Sequence, residues 1–108
     1  MMPSIPKPRT YRSDSYLRFV RQHPCIVSEC SEPSEAHHAG GIVSGRGTGQ
    51  KGSDYQCIPA CRAHHHFYHT MGRMNFEHRF KVDVRATIIA MLEKYVEMLE
   101  RPFSPEQM

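Results

Sequence analysis

The chain lacks tryptophan altogether, and aromatic residues make up only 9% of its 108 positions. It is therefore lean in core-forming side chains, although an apolar content of 39% places it above the disordered class. No apolar run in this sequence is long enough to span a bilayer. Residues Met1 to Arg12 carry Pro3, Pro6 and Pro8 among basic and polar neighbours and lack the apolar centre of a secretion signal. A cytoplasmic protein is the expectation. There are only four cysteines. In a reducing compartment two disulfides are disfavoured, and metal binding becomes the better use of clustered Cys and His.

Strong charge of either sign is also missing. The net charge is +3, but it is uneven. Residues 1 to 81 hold eleven Lys and Arg against six Asp and Glu, whereas residues 82 to 108 hold three against five. The basic part suits a polyanion partner, though many proteins without one share such a bias. At this length a single domain with one modest core is expected, and a metal staple would be physically useful.

Along the chain, residues 1–12 read as a flexible arm. Ser13 is placed to cap a short helix that carries Tyr16, Leu17, Phe19 and Val20 and stops before Pro24. Six of the seven glycines fall between Gly40 and Gly52, together with Arg46 and Lys51, which reads as a mobile basic loop. Tyr55 to Ile58 reads as a strand ending before Pro59. A helix is expected from about Cys61 to Thr70, with Gly72 as its stop. A second short helix is expected after Asn75. From Val84 to Glu100, Val84, Ile88, Leu92, Tyr95 and Leu99 recur at helical spacing behind Asp83 as cap, with Ile89 and Val96 beside them. This amphipathic helix covers the core or, as the alternative, joins two copies. Residues 13–100 thus form one domain and 101–108 a flexible tail. Monomer and homodimer both suit this layout.

The chemistry lies in two Cys/His groups. Cys25 and Cys30 have four residues between them on a knuckle, and Cys61 and His64 have two between them at a helix start. Two such pairs supply the four thiolate or imidazole ligands of a structural zinc site. Cys61 at a helix N-terminus is helped towards thiolate, and His64 lies one turn on. The alternatives are buried thiols without metal, or disulfides. Cys57 reads as a core thiol, with an exchange of roles with Cys61 left open.

His37, His38, Asp54, His65, His66 and His69 remain. Any one of them alone is more often a surface or hydrogen-bonded residue than a ligand. His65 and His69 share a helix face, and adjacent His37 and His38 on a strand would point to opposite sides. A histidine titrating near neutrality and a bound divalent ion are the parts that phosphodiester hydrolysis requires. Arg46, Lys51 and Arg62 are candidates to hold phosphate backbone. A metal-dependent hydrolase acting on nucleic acid is the reading these residues favour.

The ordered pieces Tyr-Leu-x-Phe-Val-Arg-x-x-Pro-Cys, Ala-His-His-x-Gly, Gly-Thr-Gly-x-Lys-Gly-Ser-Asp-Tyr and Ile-Pro-x-Cys-x-x-His-His-x-x-x-His run from Tyr16 to His69, inside a likeness that extends from about Asp14 to Val84. Together they resemble the HNH branch of the His-metal finger nucleases, in particular its phage and prophage members of the RecA-dependent, Ref-like kind. The resemblance implies an α+β fold, a zinc-stabilised beta hairpin and helix with flanking helices, to which periodicity adds the C-terminal amphipathic helix. It implies His38 as the base that activates water and Asp54 as the residue that orients it. His37, His65 and His69 would hold the catalytic ion, and Cys25, Cys30, Cys61 and His64 a structural zinc. The catalytic ion would be magnesium or manganese, with zinc as the alternative. DNA is the implied substrate and a RecA-like recombinase filament an implied partner. Three departures stand out: a four-residue gap in the first cysteine pair, Asp54 where asparagine is usual, and His64 where many members use cysteine. The competing reading is a non-catalytic zinc-containing DNA-binding module of a phage.

Overall fold

A computed structural model describes residues 10–39 and 52–101. The expected arm as far as residue 9, the glycine-rich segment 40–51 with Arg46 and Lys51, and the tail from residue 102 lie outside the described residues. Helix α1 spans Asp14–Arg21, strand β1 Ser34–His38, strand β2 Cys57–Cys61, and helices α2, α3 and α4 span Arg62–Met71, Arg73–Phe80 and Val84–Glu100. The class is α+β: a two-stranded antiparallel sheet with four helices around it. Among the described residues no helix is long and apolar enough to cross a membrane.

Local chemistry sets the helix ends. The Ser13 hydroxyl accepts from the Tyr16 amide to open α1, and the Asp83 carboxylate accepts from the Ala86 amide to open α4. Gly72 closes α2 and opens α3 at φ 81°, a backbone conformation that side-chain-bearing residues rarely adopt. Helix α3 therefore begins directly at Arg73, two residues before the expected Asn75.

β1 and β2 pair from Ser34 opposite Cys61 to His38 opposite Cys57. The strand lies further along the chain than expected. Asp54, Tyr55 and Gln56 form a 3-10 turn, and Pro59 sits inside β2 where it had been read as a stop. Proline is tolerated because this part of β2 faces the outer edge of the sheet, where no ladder donor is needed. There the Pro59 carbonyl accepts from the Ile26 amide at 2.7 Å, which docks the Cys25–Cys30 knuckle against β2.

All five residues of β2 are buried, and alternation sends neighbours into two apolar clusters. Ile58 joins Ala39, Tyr68, Phe76, Val84 and Ile88. Cys57 joins Tyr16, Val20 and Met91. Helix α4 packs across both, with Leu92 touching each. Its expected apolar stripe runs out early, since Met91 is buried whereas Leu99 is 62% exposed and Ile89 and Val96 are also exposed. The sheet and α1 are too short to cover the last turns of a helix this long.

Candidate metal centres and a histidine–aspartate pair

The first centre is built where the knuckle meets the start of α2. Cys61 is the N-cap of α2, its sulfur accepting from the His64 amide. The His64 ring also approaches that sulfur through Nδ1. The ligand atoms of Cys25, Cys30, Cys61 and His64 all lie within 4.8 Å of one another. The Cys30 and Cys61 sulfurs are 3.8 Å apart, and His64 Nδ1 is 3.4 Å from Cys25 Sγ and 3.2 Å from Cys61 Sγ. A tetrahedral zinc with sulfurs ~2.3 Å and nitrogens ~2.0 Å away would space two sulfurs about 3.8 Å apart and a sulfur and nitrogen about 3.5 Å apart. The donor set fits such an ion. Burial pushes the Cys25 thiol up to about 11, against hydrogen bonds from the Cys61 and Val27 backbone that lower it. A cation at the centre would reverse that preference, because coordination deprotonates a thiol.

The second group straddles β1 and α2. The ligand nitrogens of His37, His65 and His69 also lie within 4.8 Å of one another. His65 and His69 are one turn apart on α2, and their Nε2 atoms are 3.1 Å apart. His37 comes from β1, with its ring centre 4.0 Å from that of His65 and 5.0 Å from that of His69. It is 1% exposed, and among the described residues neither ring nitrogen has a hydrogen-bond partner. A buried imidazole with both nitrogens unsatisfied is costly, and an ion shared with His65 and His69 would satisfy one of them. Burial, reinforced by the neighbouring histidines, drives the His37 pKa down to about 3, which keeps its lone pair free of a proton. Tyr68 fixes this end of the strand. Its hydroxyl donates to the Ala39 carbonyl at 2.9 Å, and its ring meets the His37 ring edge-on.

The third feature is a pair. His38 Nε2 lies 2.8 Å from Asp54 Oδ1. Asp54 is 1% exposed, and its second oxygen accepts from the Ser13 amide at 2.7 Å. Arg12 Nη1 lies 3.4 Å from Oδ1 and donates to the Gly52 carbonyl at 2.7 Å. The Asp54 amide donates to the Tyr11 carbonyl. Burial alone would raise the Asp54 carboxyl, but the bonds from His38 and Ser13 and the charges of His38 and Arg12 hold it below the usual carboxylate range.

The ten described residues expected at sites thus fall into these three groups, with one exception. Arg62 is 92% exposed at the start of α2, its Nε 3.7 Å from Glu35 Oε2. Cys57 is buried in the core, apart from both Cys/His groups, and His66 is exposed. Two residues of the neighbourhood were not singled out from the sequence. Glu35 approaches His65 Nδ1 at 3.1 Å. Strand alternation could have found it, because it stands two residues before His37. Arg12 reaches Asp54 across 42 positions of sequence, and no local pattern announces that.

A family model described as a protein of unknown function, DUF968, matches residues 1–98. The chain belongs to the DUF968 family. It is also 37% identical over 67 residues to the uncharacterized protein YdfU of Escherichia coli. That stretch is 61% of this DUF968 chain but 18% of YdfU, so the chain spans less than a fifth of that relative's length. No solved structure matches it.

Proposed function

We propose that this DUF968 chain is a metal-dependent endonuclease of the HNH, His-metal finger kind, which hydrolyses phosphodiester bonds in DNA. The observation that carries this reading is the placement of His37, the buried member of a three-histidine group, and aspartate-held His38 at successive positions of one strand. The resemblance of the ordered motifs and the basic bias of residues 1–81 favour nucleic acid as the substrate.

In this reading Cys25, Cys30, Cys61 and His64 hold a structural zinc. His37, His65 and His69 hold a divalent ion, for which three nitrogen donors favour manganese or zinc over the oxygen-loving magnesium. When bound, that ion supplies neutralisation of the negative charge that builds on the phosphate. His38 supplies the base. With its Nε2–H donated to Asp54, the ring carries its lone pair on Nδ1, which takes the proton from the attacking water. Asp54 fixes the ring and its tautomer, and is itself fixed by Ser13 and Arg12. Arg62, projecting into solvent at the start of α2, is available to a backbone phosphate.

The test is nicking of supercoiled DNA by the full chain in manganese, magnesium or zinc, with and without EDTA, beside the His38→Ala variant. EDTA-sensitive nicking that the variant loses is the expected result. Equal nicking by the variant would remove His38 from the role. Salt-dependent DNA binding without cleavage in any of the three metals would make the chain a zinc-containing DNA-binding module instead.

A further inference from the structure

Glu35 stands on β1 two residues before His37, so both side chains leave the strand on the same face. Its Oε1 lies 3.1 Å from His65 Nδ1, and its Oε2 faces Arg62 Nε at 3.7 Å. Among the described residues the converging ligand atoms are those of His37, His65 and His69, and Glu35 stands behind them. His65 is therefore gripped at both ends. One ring nitrogen meets the carboxylate, while the other faces His69 Nε2.

We infer that Glu35 is a positioning residue for the ion at the three-histidine group, acting through the tautomer and basicity of His65. An imidazole has one proton to place when neutral. A carboxylate at Nδ1 draws the proton there and leaves the lone pair on Nε2, the nitrogen aimed at the ion. The negative charge also makes Nε2 a stronger donor. Without Glu35 both tautomers of His65 are accessible, and the one protonated on Nε2 cannot bind an ion. Arg62 adds little of its own, since an ion pair at so exposed a side chain is weak. The exposure of Glu35 is 42%, so its removal opens no cavity. The inference rests on the reading that His37, His65 and His69 hold an ion.

The experiment uses the full chain with one equivalent of zinc in the cysteine site, titrated with cobalt(II) and followed by calorimetry and visible absorption. Glu35→Ala should weaken cobalt binding about 10- to 100-fold. Glu35→Gln should recover part of that loss, because an amide oxygen still accepts the His65 proton. Zinc retention and thermal melting should match the wild type in both variants, and Arg62→Ala should bind cobalt as the wild type does. Wild-type affinity in Glu35→Ala would overturn the role of Glu35 while leaving the ion site standing. A loss in Arg62→Ala equal to that in Glu35→Ala would assign the effect to the exposed ion pair and overturn it too. A wild type that takes up no cobalt beyond the zinc equivalent would overturn the three-histidine site and the role of Glu35 together.

Discussion

His37 and His38 are neighbours on β1, yet they meet opposite environments. His37 is buried among the rings of His65, His69 and Tyr68, while His38 faces Asp54 across 2.8 Å. A strand produces this division without special geometry, because successive side chains leave it on opposite sides. One residue can then serve a metal and the next a proton, with their separation set by the rigid backbone between them. The same economy recurs on α2, where His64 and His65 turn about 100° apart and enter different groups.

The two groups should bind ions independently in number. Full-length protein is expected to hold two equivalents of a zinc-like ion. His69→Ala should reduce that to one and, because His69 is exposed on α2, lower the melting temperature by no more than the lost ion itself contributes. Elemental analysis of dialysed protein together with a melting curve checks this. Two equivalents retained by the variant would exclude His69 as a ligand.

Loss of the cysteine-rich ion should behave differently, because it joins the knuckle, β2 and α2. Structural zinc sites contribute their binding free energy to folding. Cys30→Ser is the cleaner variant, since Cys61 also caps α2 and its removal would mix two effects. Cys30→Ser is expected to lose one zinc equivalent and to melt without a cooperative transition. Strong chelators should do the same to the wild type. An unchanged far-ultraviolet melting curve after verified zinc removal would show that the core stands alone.

Helix α4 offers a contrast within one element. Ile88 is 2% exposed in the core, whereas Leu99 lies in the last turn beyond it. Ile88→Ala should destabilise the fold by about 2–5 kcal/mol. Leu99→Ala should change it by no more than about 0.5 kcal/mol. Urea denaturation of both at equal protein concentration decides the matter. A large loss for Leu99→Ala that shrinks on dilution would mean that a second copy covers this face.

Most residues of the two candidate metal groups were legible in the sequence because spacing along a helix or knuckle is local information. Cys61 with His64, and His65 with His69, announce a shared site by their separation alone. The boundary of β2 was not legible, because Pro59 signals a strand end unless one knows that Ile26 takes its carbonyl on the outer edge. The reach of α4 was overread for a related reason. Periodicity at Leu99 continues the pattern, but whether anything lies opposite it depends on the length of the elements it packs against. Arg12 and Ser13 were invisible as partners of Asp54, since no repeat or spacing links positions more than 40 residues apart. The Cys/His pairs thus came from local spacing, the fold class and the place of His37 from the resemblance, and the electrostatic frame of His38 only from tertiary contact.

That frame gives the last prediction, which concerns acid stability as well as activity. Asp54 accepts from His38 and from the Ser13 amide through separate oxygens. Asp54→Asn keeps the shape but offers a single acceptor oxygen, so one of the two donors loses its partner. Cleavage should fall about 10- to 100-fold, as when a histidine loses the group that sets its tautomer. The stability effect has a definite sign. Although burial opposes it, the bonds from His38 and Ser13 and the charges of His38 and Arg12 make the folded carboxyl more acidic than the unfolded one. Such a group adds stability above its unfolded pKa, about 3.9, and that contribution is lost as pH falls towards the folded value. Wild type should therefore exceed Asp54→Asn at about pH 5, and the margin should shrink as pH falls below about 4. Acid also releases zinc, but from both proteins alike, so the difference between their urea midpoints isolates Asp54. A margin that stays constant into strong acid would mean that its carboxylate contributes no net charge interaction to the fold.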